Sequence, residues 1–207
     1  MSAESRLSLQ ESVALLRRLR RDDDVVVSSM GSAREWMALG RDHERDLVFV
    51  PSAMGHATSL GLGLALAQPR RRIIVLSGDG SLLMNLGSLV TIAAQAPRNL
   101  VVVVFVNGVY EVTGAQPTPG APAARAGQDA VDIVAIARGC GIRSVFEWND
   151  PSALQAGLET ALDASGPTLI SLQTAPVPGA VGPRSPGPTG ERARRFREAL
   201  RAPIGPA

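Results

Sequence analysis

Hydrophobic positions recur along the chain with two different periods, which predict a regular succession of strands and helices. Continuous apolar runs rich in β-branched residues predict strands at residues 25–27, 48–50, 72–77, 100–106, 145–147 and 168–173. Apolar residues at helical spacing, or small-residue texture, predict helices at residues 9–20, 55–67, 82–95, 130–138, 151–162 and 191–200, with a short helix near Glu35 and Trp36. Continuous runs of this kind are typical of strands that are buried on both faces in a parallel sheet.

Because strands alternate with helices, we expect an α/β fold: a doubly wound parallel sheet with helices on both faces, in a single domain. Residues 1–175 would form this domain, residues 176–190 a Pro/Gly-rich linker, and residues 191–207 a C-terminal helix and tail. Loops are expected at residues 28–32 and 108–128. The second is long enough to be functional or disordered, and Asp129 is expected to cap the helix that follows it.

Two neighbouring strands of the predicted sheet end in polar residues. Asp79 follows the apolar run at 72–77 after the single residue Gly78, and Asn107 directly follows the apolar run at 100–106. In an open α/β sheet, ligands bind at the carboxyl ends of the strands. A carboxylate and an amide oxygen beside a helix N-terminus suit a hard divalent cation that carries a diphosphate. The alternative is a generic nucleotide-fold turn in which Asn107 only caps a strand.

The residues around Asp79 support a phosphate-binding turn. Gly78 and Gly80 flank Asp79 where the chain turns from strand to helix, and we expect glycine to supply unusual dihedrals there. Ser81 and the free N–H groups of the first helical turn would hold phosphate oxygens. Mg²⁺ takes about six oxygens, of which Asp79, Asn107 and a main-chain carbonyl just past Asn107 would supply three.

Composition excludes several other classes of protein. The 207 residues contain no lysine, which excludes a Walker A loop, a Schiff-base enzyme and a pyridoxal phosphate site. Cys140 is the single cysteine, so no internal disulfide forms, and a buried structural thiol in a reducing cytoplasm is expected. A net charge of +2 and 3% aromatic residues argue against a nucleic-acid partner. The sequence contains neither a signal peptide nor an apolar run of about 18 residues, so we expect no membrane partner and a cytoplasmic location.

The turn at residues 78–81 and its spacing to Asn107 resemble the diphosphate–magnesium motif of thiamine-diphosphate enzymes. These enzymes build their active site from a pyrimidine-binding and a diphosphate-binding domain, and residues 24–174 resemble the second. Residues 52–57 and 107–118 look more narrowly like the sulfopyruvate and phosphonopyruvate decarboxylases. The chain is similar in size to the β subunit of the sulfopyruvate enzyme. Two positions depart from the pattern: Gly108 replaces a common asparagine, and Ala115 replaces a usual glycine, which bears on the substrate loop.

The resemblance implies thiamine diphosphate and Mg²⁺ as cofactors, with the metal held by Asp79, Asn107 and the carbonyl of Val109. Contacts to the cofactor are expected from a set of residues on turns and strand ends: Ser29, Gly31, Ser32, Met54, Gly55, Gly78, Gly80, Ser81 and Tyr110. Met54 would be an apolar wedge beneath the cofactor, or alternatively ordinary core packing. The residues at 29–32 would touch diphosphate oxygens, or alternatively form a plain helix N-cap.

Two residues are candidates for catalysis, His56 and Glu111. His56 would donate a proton or bind an anionic substrate group, or alternatively be a helix-start histidine bonded to the backbone. Glu111 and Gln116 would orient the substrate on the long loop, unless Glu111 only pairs with a nearby arginine. His43 lies among charged residues and is expected to be solvated.

Thiamine catalysis in the family also needs a glutamate from the pyrimidine-binding domain, and no such domain is recognised in this sequence. We therefore expect the diphosphate-binding subunit of a 2-oxo acid decarboxylase of the sulfopyruvate or phosphonopyruvate type. It would be inactive without an α subunit that carries the pyrimidine-binding domain, in a hetero-oligomer with a β–β contact. The alternatives are a subunit of an acetolactate-synthase-like carboligase and a non-catalytic cofactor-binding module.

Overall fold

The computed structural model describes residues 6–40, 43–50, 54–119 and 130–203. Its strands are β1 Val25–Ser29, β2 Asp46–Phe49, β3 Ile73–Gly78, β4 Leu100–Val106, β5 Val109–Tyr110, β6 Gln116–Pro117, β7 Ser144–Trp148 and β8 Thr168–Gln173. Six of them form one parallel sheet in the order β2-β1-β3-β4-β8-β7, and β5 and β6 form a separate antiparallel hairpin. The strand order reverses between β1 and β3, which makes this the switch point of the sheet.

Helices cover both faces of this sheet. They are α1 Leu9–Leu19, α2 Met30–Ala38, α3 Ala57–Ala67, α4 Asp79–Leu83, α5 Gly87–Gln95, α6 Ile133–Gly139, α7 Pro151–Leu162 and α8 Thr189–Arg201. One core contains side chains of α1, α2 and α7, and the other contains side chains of α3, α5, α6 and α8. The strands supply alternate residues to the two cores: Val101 and Val103 face the first, and Val102 faces the second. The predicted doubly wound parallel sheet is confirmed.

Two local predictions are wrong at the edge where the candidate site lies. The predicted loop at residues 28–32 does not form, because β1 continues to Ser29 and α2 begins at Met30. The chain passes from β1 into α2 without a loop, and Met30 at this junction has a left-handed φ of 53°. The predicted helix at 82–95 is divided into α4 and α5, and Asn85 in the break donates from Nδ2 to the carbonyl of Gly55 at 2.8 Å.

The long loop after β4 is partly structured. Residues 109–117 form the hairpin of β5 and β6, closed by a 3-10 turn over Glu111–Thr113. Residues 120–129, including the predicted cap Asp129, lie outside the described residues. The next helix begins at Ile133 and not at residue 130, because Asp132 is its cap and accepts a hydrogen bond from the N–H of Ala135 at 2.8 Å.

His43 is half-buried, so the expectation that it would be solvated is wrong. Its Nδ1 accepts a hydrogen bond from the N–H of Arg45 at 3.1 Å and lies 2.6 Å from Nη2 of Arg20. Burial, followed by the charge of Arg20, lowers the pKa of His43 below its ordinary value.

The C-terminal segment, defined here as residues 176–203, lies along the domain and ends in α8. Arg192 of α8 donates to the carbonyls of Val48 and Val50, at the edge strand β2. The buried Arg71 donates to the carbonyl of Ala202 at 2.6 Å. The helix thus covers an edge that would otherwise expose unpaired backbone groups. Among the residues that the structure describes, no helix is both long and apolar enough to cross a membrane.

Candidate cofactor and metal site

The carboxyl ends of β3 and β4 open into a cavity of about 330 Å³, beside the switch point of the sheet. Most of the predicted site residues line it: Gly31, Ser32, Met54, Gly78, Asp79, Gly80, Ser81, Asn107, Val109, Tyr110 and Glu111. The cavity also has an apolar wall that the sequence did not indicate, formed by Leu9, Met30, Met84, Phe105 and Val112. A pocket with a few convergent polar groups on apolar walls is typical of a small-molecule site.

Asp79 is the first residue of α4, and its side chain is almost fully buried. Its Oδ2 accepts hydrogen bonds from the hydroxyl of Thr118 at 2.8 Å and from the N–H of Gly108 at 3.2 Å. Its Oδ1 is buried and has no hydrogen-bond partner among the described residues. Burial raises the pKa of Asp79, although the hydrogen bond from Thr118 and nearby backbone N–H groups oppose this. A buried carboxylate oxygen without a partner is costly, and a cation at that oxygen would remove the cost.

Asn107 follows the last residue of β4, where Gly108 turns the chain with a left-handed φ of 76°. Its Oδ1 accepts from the N–H of Val109 at 3.0 Å, and its Nδ2 donates to Oε1 of Glu111 at 2.9 Å. In the described part of the chain, no group of three or more His, Cys, Asp or Glu side chains could hold a metal ion. A cation here would therefore use a mixed set of one carboxylate, one amide oxygen and main-chain carbonyls, which suits Mg²⁺.

The expectation that Gly78 and Gly80 supply unusual dihedrals is wrong. Gly78 has an ordinary extended conformation, with φ −86° and ψ 159°, and Gly80 lies within α4. Gly80 is needed for a different reason, because a Cβ atom there would lie 2.7 Å from the ring of Tyr110. At Gly78, the nearest atom to an added Cβ would be the carbonyl oxygen of Phe105, at 4.0 Å.

A hydrogen bond between Gly55 and Ser81 connects the turn before α3 to α4. The N–H of Gly55 donates to the hydroxyl of Ser81 at 3.0 Å, and Gly55 has a left-handed φ of 85°. A Cβ at Gly55 would lie 3.0 Å from Cβ of Asn85. Gly55 is not among the residues that line the cavity, so the structure places it behind the wall and not on it.

Two methionines give the cavity an exposed apolar surface. Met54 is 38% exposed and Met84 is 49% exposed, although both are large hydrophobic residues. Met54 therefore does not pack in the core, which was the alternative interpretation of this residue. Met84 lies in the break between α4 and α5 and was missed, because the apolar spacing of residues 82–95 gave no sign of that break. Methionine side chains adapt well to an apolar or aromatic ligand.

Three of the predicted site residues have side chains that contact main-chain carbonyl groups: Ser29, Ser32 and His56. The hydroxyl of Ser29 donates to the carbonyl of Leu76 at 3.2 Å, and that of Ser32 donates to the carbonyl of Ser29 at 2.7 Å. Ser29 is not among the residues that line the cavity, and its side chain makes no capping hydrogen bond to α2. His56 precedes α3, is exposed outside the lining, and has Nδ1 3.1 Å from the carbonyl oxygen of Met54.

Glu111 contacts protein groups through both carboxylate oxygens. Besides the amide of Asn107, Oε1 accepts from the N–H of Val177 at 2.8 Å, and Oε2 lies 3.8 Å from Nη2 of Arg34. Gln116 lines the cavity, and its Oε1 accepts from the hydroxyl of Thr113 at 2.9 Å.

Thr118 was missed as a site residue. It is fully buried beneath the site, and a threonine in the middle of a long predicted loop gives no sequence signal of its bond to a distant carboxylate.

The hairpin of β5 and β6 keeps a left-handed backbone at residue 115, the position that departs from the family pattern. Ala115 has φ 57°, next to Gly114 with φ 117°, and the N–H of Ala115 donates to the carbonyl of Tyr110 at 3.0 Å. The hairpin therefore closes without a glycine at position 115, at the cost of backbone strain.

The fold and the site together define an α/β domain with a cavity at the carboxyl ends of two parallel strands, where buried polar groups meet apolar walls. The family described as "Thiamine pyrophosphate enzyme, C-terminal TPP binding domain" matches residues 29–172. The chain belongs to this family.

Similar proteins include decarboxylases of two kinds. The chain is 42% identical to a phosphonopyruvate decarboxylase from Streptomyces viridochromogenes, over 91% of this chain and 45% of that protein. It is 38% identical to the sulfopyruvate decarboxylase subunit beta of Methanothermobacter thermautotrophicus, over 75% of this chain and 76% of that one. The chain thus spans less than half the length of the phosphonopyruvate decarboxylases that it matches.

Solved structures share the fold. One of them, described as a "putative thiamin diphosphate-dependent enzyme isolated from Mycobacterium smegmatis", superposes with a TM-score of 0.67 and 25% identity, covering 83% of this chain and 32% of that one. The thiamine diphosphate-dependent 4-hydroxybenzoylformate decarboxylase of Rhodococcus jostii RHA1 gives a TM-score of 0.67 at 24% identity, over 84% and 34% of the two chains.

Proposed function

We propose that this chain supplies the diphosphate- and metal-binding half of a thiamine-diphosphate- and Mg²⁺-dependent 2-oxo acid decarboxylase. Its substrate is a pyruvate with a sulfo or phosphono group at carbon 3, by analogy with the relatives named above. The observation that carries the proposal is Oδ1 of Asp79, a buried carboxylate oxygen without a partner among the described residues, in the wall of the cavity.

The residues at the cavity fit the cofactor and the metal. Asp79, Asn107 and the carbonyl of Val109 would hold Mg²⁺, whose charge would compensate the buried carboxylate. The diphosphate would lie along the turn at 78–81 and the start of α2. The exposed faces of Met54 and Met84 would contact the aromatic rings of the cofactor.

Thiamine diphosphate, when bound, supplies a nucleophilic carbon and an electron sink for the loss of carbon dioxide from a 2-oxo acid. The residues of this chain contribute geometry and electrostatics. Asp79 places a negative charge where a cation is needed, and Met54, Met84 and Phe105 give the cavity an apolar surface. The hairpin of β5 and β6 brings Tyr110 and Gln116 to the cavity wall, where a substrate would enter.

We further propose that the pyrimidine-binding domain belongs to an α-type partner subunit, in a hetero-oligomer that also contains a β–β contact. The similarity to a subunit beta over about three quarters of both chains supports this. Exposed apolar side chains on the helices beside the cavity also support it, because Met84 of the α4–α5 break and Val90 of α5 are 49% and 56% exposed.

The experiment is co-purification of the chain with a pyrimidine-domain partner, followed by assays of carbon dioxide release. Sulfopyruvate, phosphonopyruvate and pyruvate are supplied with thiamine diphosphate and Mg²⁺. The proposal predicts release from one of the first two substrates, loss of release with Asp79→Asn, and no turnover by either subunit alone. An acetolactate-type product from pyruvate would contradict the decarboxylase assignment. Cofactor binding without turnover of any 2-oxo acid would favour a non-catalytic module.

A further inference from the structure

One carboxylate oxygen connects the candidate metal ligand Asn107 with the C-terminal segment. Oε1 of Glu111 accepts from Nδ2 of Asn107 at 2.9 Å and from the N–H of Val177 at 2.8 Å. The side chain of Glu111 is only 7% exposed. Hydrogen bonds to an ionised acceptor that is shielded from water are among the stronger ones in proteins.

Glu111 determines which way the amide of Asn107 points. A carboxylate can only accept hydrogen bonds, so the nitrogen of the amide must face it and the oxygen must face away. The oxygen accepts from the N–H of Val109 at 3.0 Å and remains available to a cation through its second lone pair. Without Glu111, the amide can rotate and place its nitrogen where the cation would be.

Two residues of α2 allow the carboxylate of Glu111 to lie close to this helix. A Cβ at Gly31, the second residue of α2, would lie 3.2 Å from Oε2 of Glu111, so glycine permits the close approach. Nη2 of Arg34, one turn further along α2, lies 3.8 Å from the same oxygen. The carboxylate therefore lies between α2 and the hairpin, and touches both.

The C-terminal segment follows the same surface. Nη1 of Arg34 donates to the carbonyl of Val181 at 3.2 Å, and an added Cβ at Gly182 would lie 3.9 Å from Val112, which lines the cavity. Residues 177–182 thus lie directly behind the wall that contains Glu111. The far end of the segment is fixed separately, because Arg192 donates to the carbonyls of Val48 in β2 and of Val50 just after it.

We propose that Glu111 is a positioning residue that couples the docking of residues 176–182 to metal and diphosphate binding at Asn107. This inference rests on the proposed function, since it takes Asn107 as a metal ligand. Coupling between two sites is reciprocal. Loss of the Val177 contact should therefore weaken metal binding, and metal binding should hold the C-terminal segment in place.

The test measures both ends of the coupling in the full-length chain with its partner. Binding of Mn²⁺ in the presence of thiamine diphosphate is followed by electron paramagnetic resonance. Docking of the segment is followed by the rate of tryptic cleavage after the exposed Arg184. Glu111→Ala removes the acceptor, and Glu111→Gln keeps an acceptor oxygen. Val177→Pro removes the N–H, and Val177→Ala keeps it.

We expect Glu111→Ala to weaken Mn²⁺ binding by about 10-fold, the lower end of what is typical for groups that orient a metal ligand. Glu111→Gln and Val177→Ala should stay within about 3-fold of the wild type, and Val177→Pro should lose about 3- to 10-fold. Mn²⁺ with thiamine diphosphate should slow cleavage after Arg184 in the wild type and in Val177→Ala, but not in Glu111→Ala.

Three results would each overturn the coupling. They are unchanged Mn²⁺ binding in Glu111→Ala, an equal loss of Mn²⁺ affinity in Glu111→Gln and Glu111→Ala, and a wild-type cleavage rate that does not change when Mn²⁺ and thiamine diphosphate are added. If Glu111→Ala does not fold, the comparison of Val177→Pro with Val177→Ala decides by the same measurements. A wild-type protein that binds no Mn²⁺ with thiamine diphosphate would instead overturn the proposed function, and this inference with it.

Discussion

The ring of Tyr110 lies against Gly80 so closely that a methyl group at position 80 would stand 2.7 Å from two of its carbon atoms. This contact joins the hairpin after β4 to the first turn of α4, and it places Tyr110 on the cavity wall beside Asp79. The glycine is required by packing, because its own backbone is helical.

Gly80→Ala should therefore disturb the site. The ring of Tyr110 must move by more than a few tenths of an ångström, and displacements of about 1 Å in a binding site can cost up to about 100-fold. We expect the affinity for thiamine diphosphate, measured by calorimetric titration, to fall by at least about 10-fold. Gly87→Ala is the matched control, because an added Cβ there meets nothing within 4 Å. Equal affinities of the two variants would show that the contact has no effect on the site.

A second pair of glycines tests the packing of α3 on the sheet. A Cβ at Gly61 would lie 2.2 Å from Cγ2 of Val75, whereas a Cβ at Gly63 would meet nothing within 4 Å. Gly61→Ala should lower the free energy of unfolding by about 2 kcal/mol through overpacking. Gly63→Ala should raise it by up to about 1 kcal/mol through helix propensity. Urea denaturation measures both, and the same sign for both variants would contradict the packing.

Substitutions at Ala115 test the backbone strain in the hairpin of β5 and β6. Its φ of 57° costs an L-residue about 1–2 kcal/mol, and glycine would remove that cost while adding about 0.4–1 kcal/mol of unfolded-state entropy. Ala115→Gly should raise the free energy of unfolding by up to about 1 kcal/mol, and Ala115→Val should lower it by more than about 1 kcal/mol. If the valine variant proves as stable as the glycine variant in denaturant titrations, residue 115 does not hold the left-handed conformation.

The lowered pKa of His43 should make the free energy of unfolding depend on pH. Burial and the neighbouring Arg20 lower the pKa of His43 in the folded chain below its ordinary value of 6.5. The unfolded chain therefore takes up this proton at a higher pH than the folded one. The contribution of His43 to stability is complete above pH 6.5 and is lost as the pH falls towards the folded pKa. The His43→Gln variant should show a shallower loss of stability between about pH 6.5 and 5 than the wild type. Identical slopes would contradict the pKa shift.

Much of the fold follows from local pattern. The strands that carry the site are continuous β-branched runs, so Asp79 and Asn107 could be placed at the ends of two strands from sequence alone. The structure pairs these strands in parallel with Gly78 opposite Phe105, which brings the two residues to the same edge. Pattern was sufficient here because a strand that is buried on both faces needs apolar residues at every position.

The remaining features depend on contacts between distant parts of the chain. The bond between Glu111 and Val177 joins residues that lie on either side of three strands and two helices, and Val177 stands in a Pro-rich stretch that was predicted as a linker. The role of Gly80 could not be inferred from the sequence. The space that a side chain at position 80 would need is filled by the ring of Tyr110, which belongs to another element. The break at Asn85 was hidden, since the apolar spacing continues through it.

We propose that Asp79 holds a metal that in turn holds the diphosphate. Thiamine diphosphate can be titrated into the wild type and into Asp79→Asn, each with its partner, in Mg²⁺ and in EDTA. We expect the wild type to bind only with Mg²⁺, and the variant of matched size to lose at least about 10-fold in affinity. Equal binding by both proteins, or binding by the wild type that is unchanged in EDTA, would contradict it.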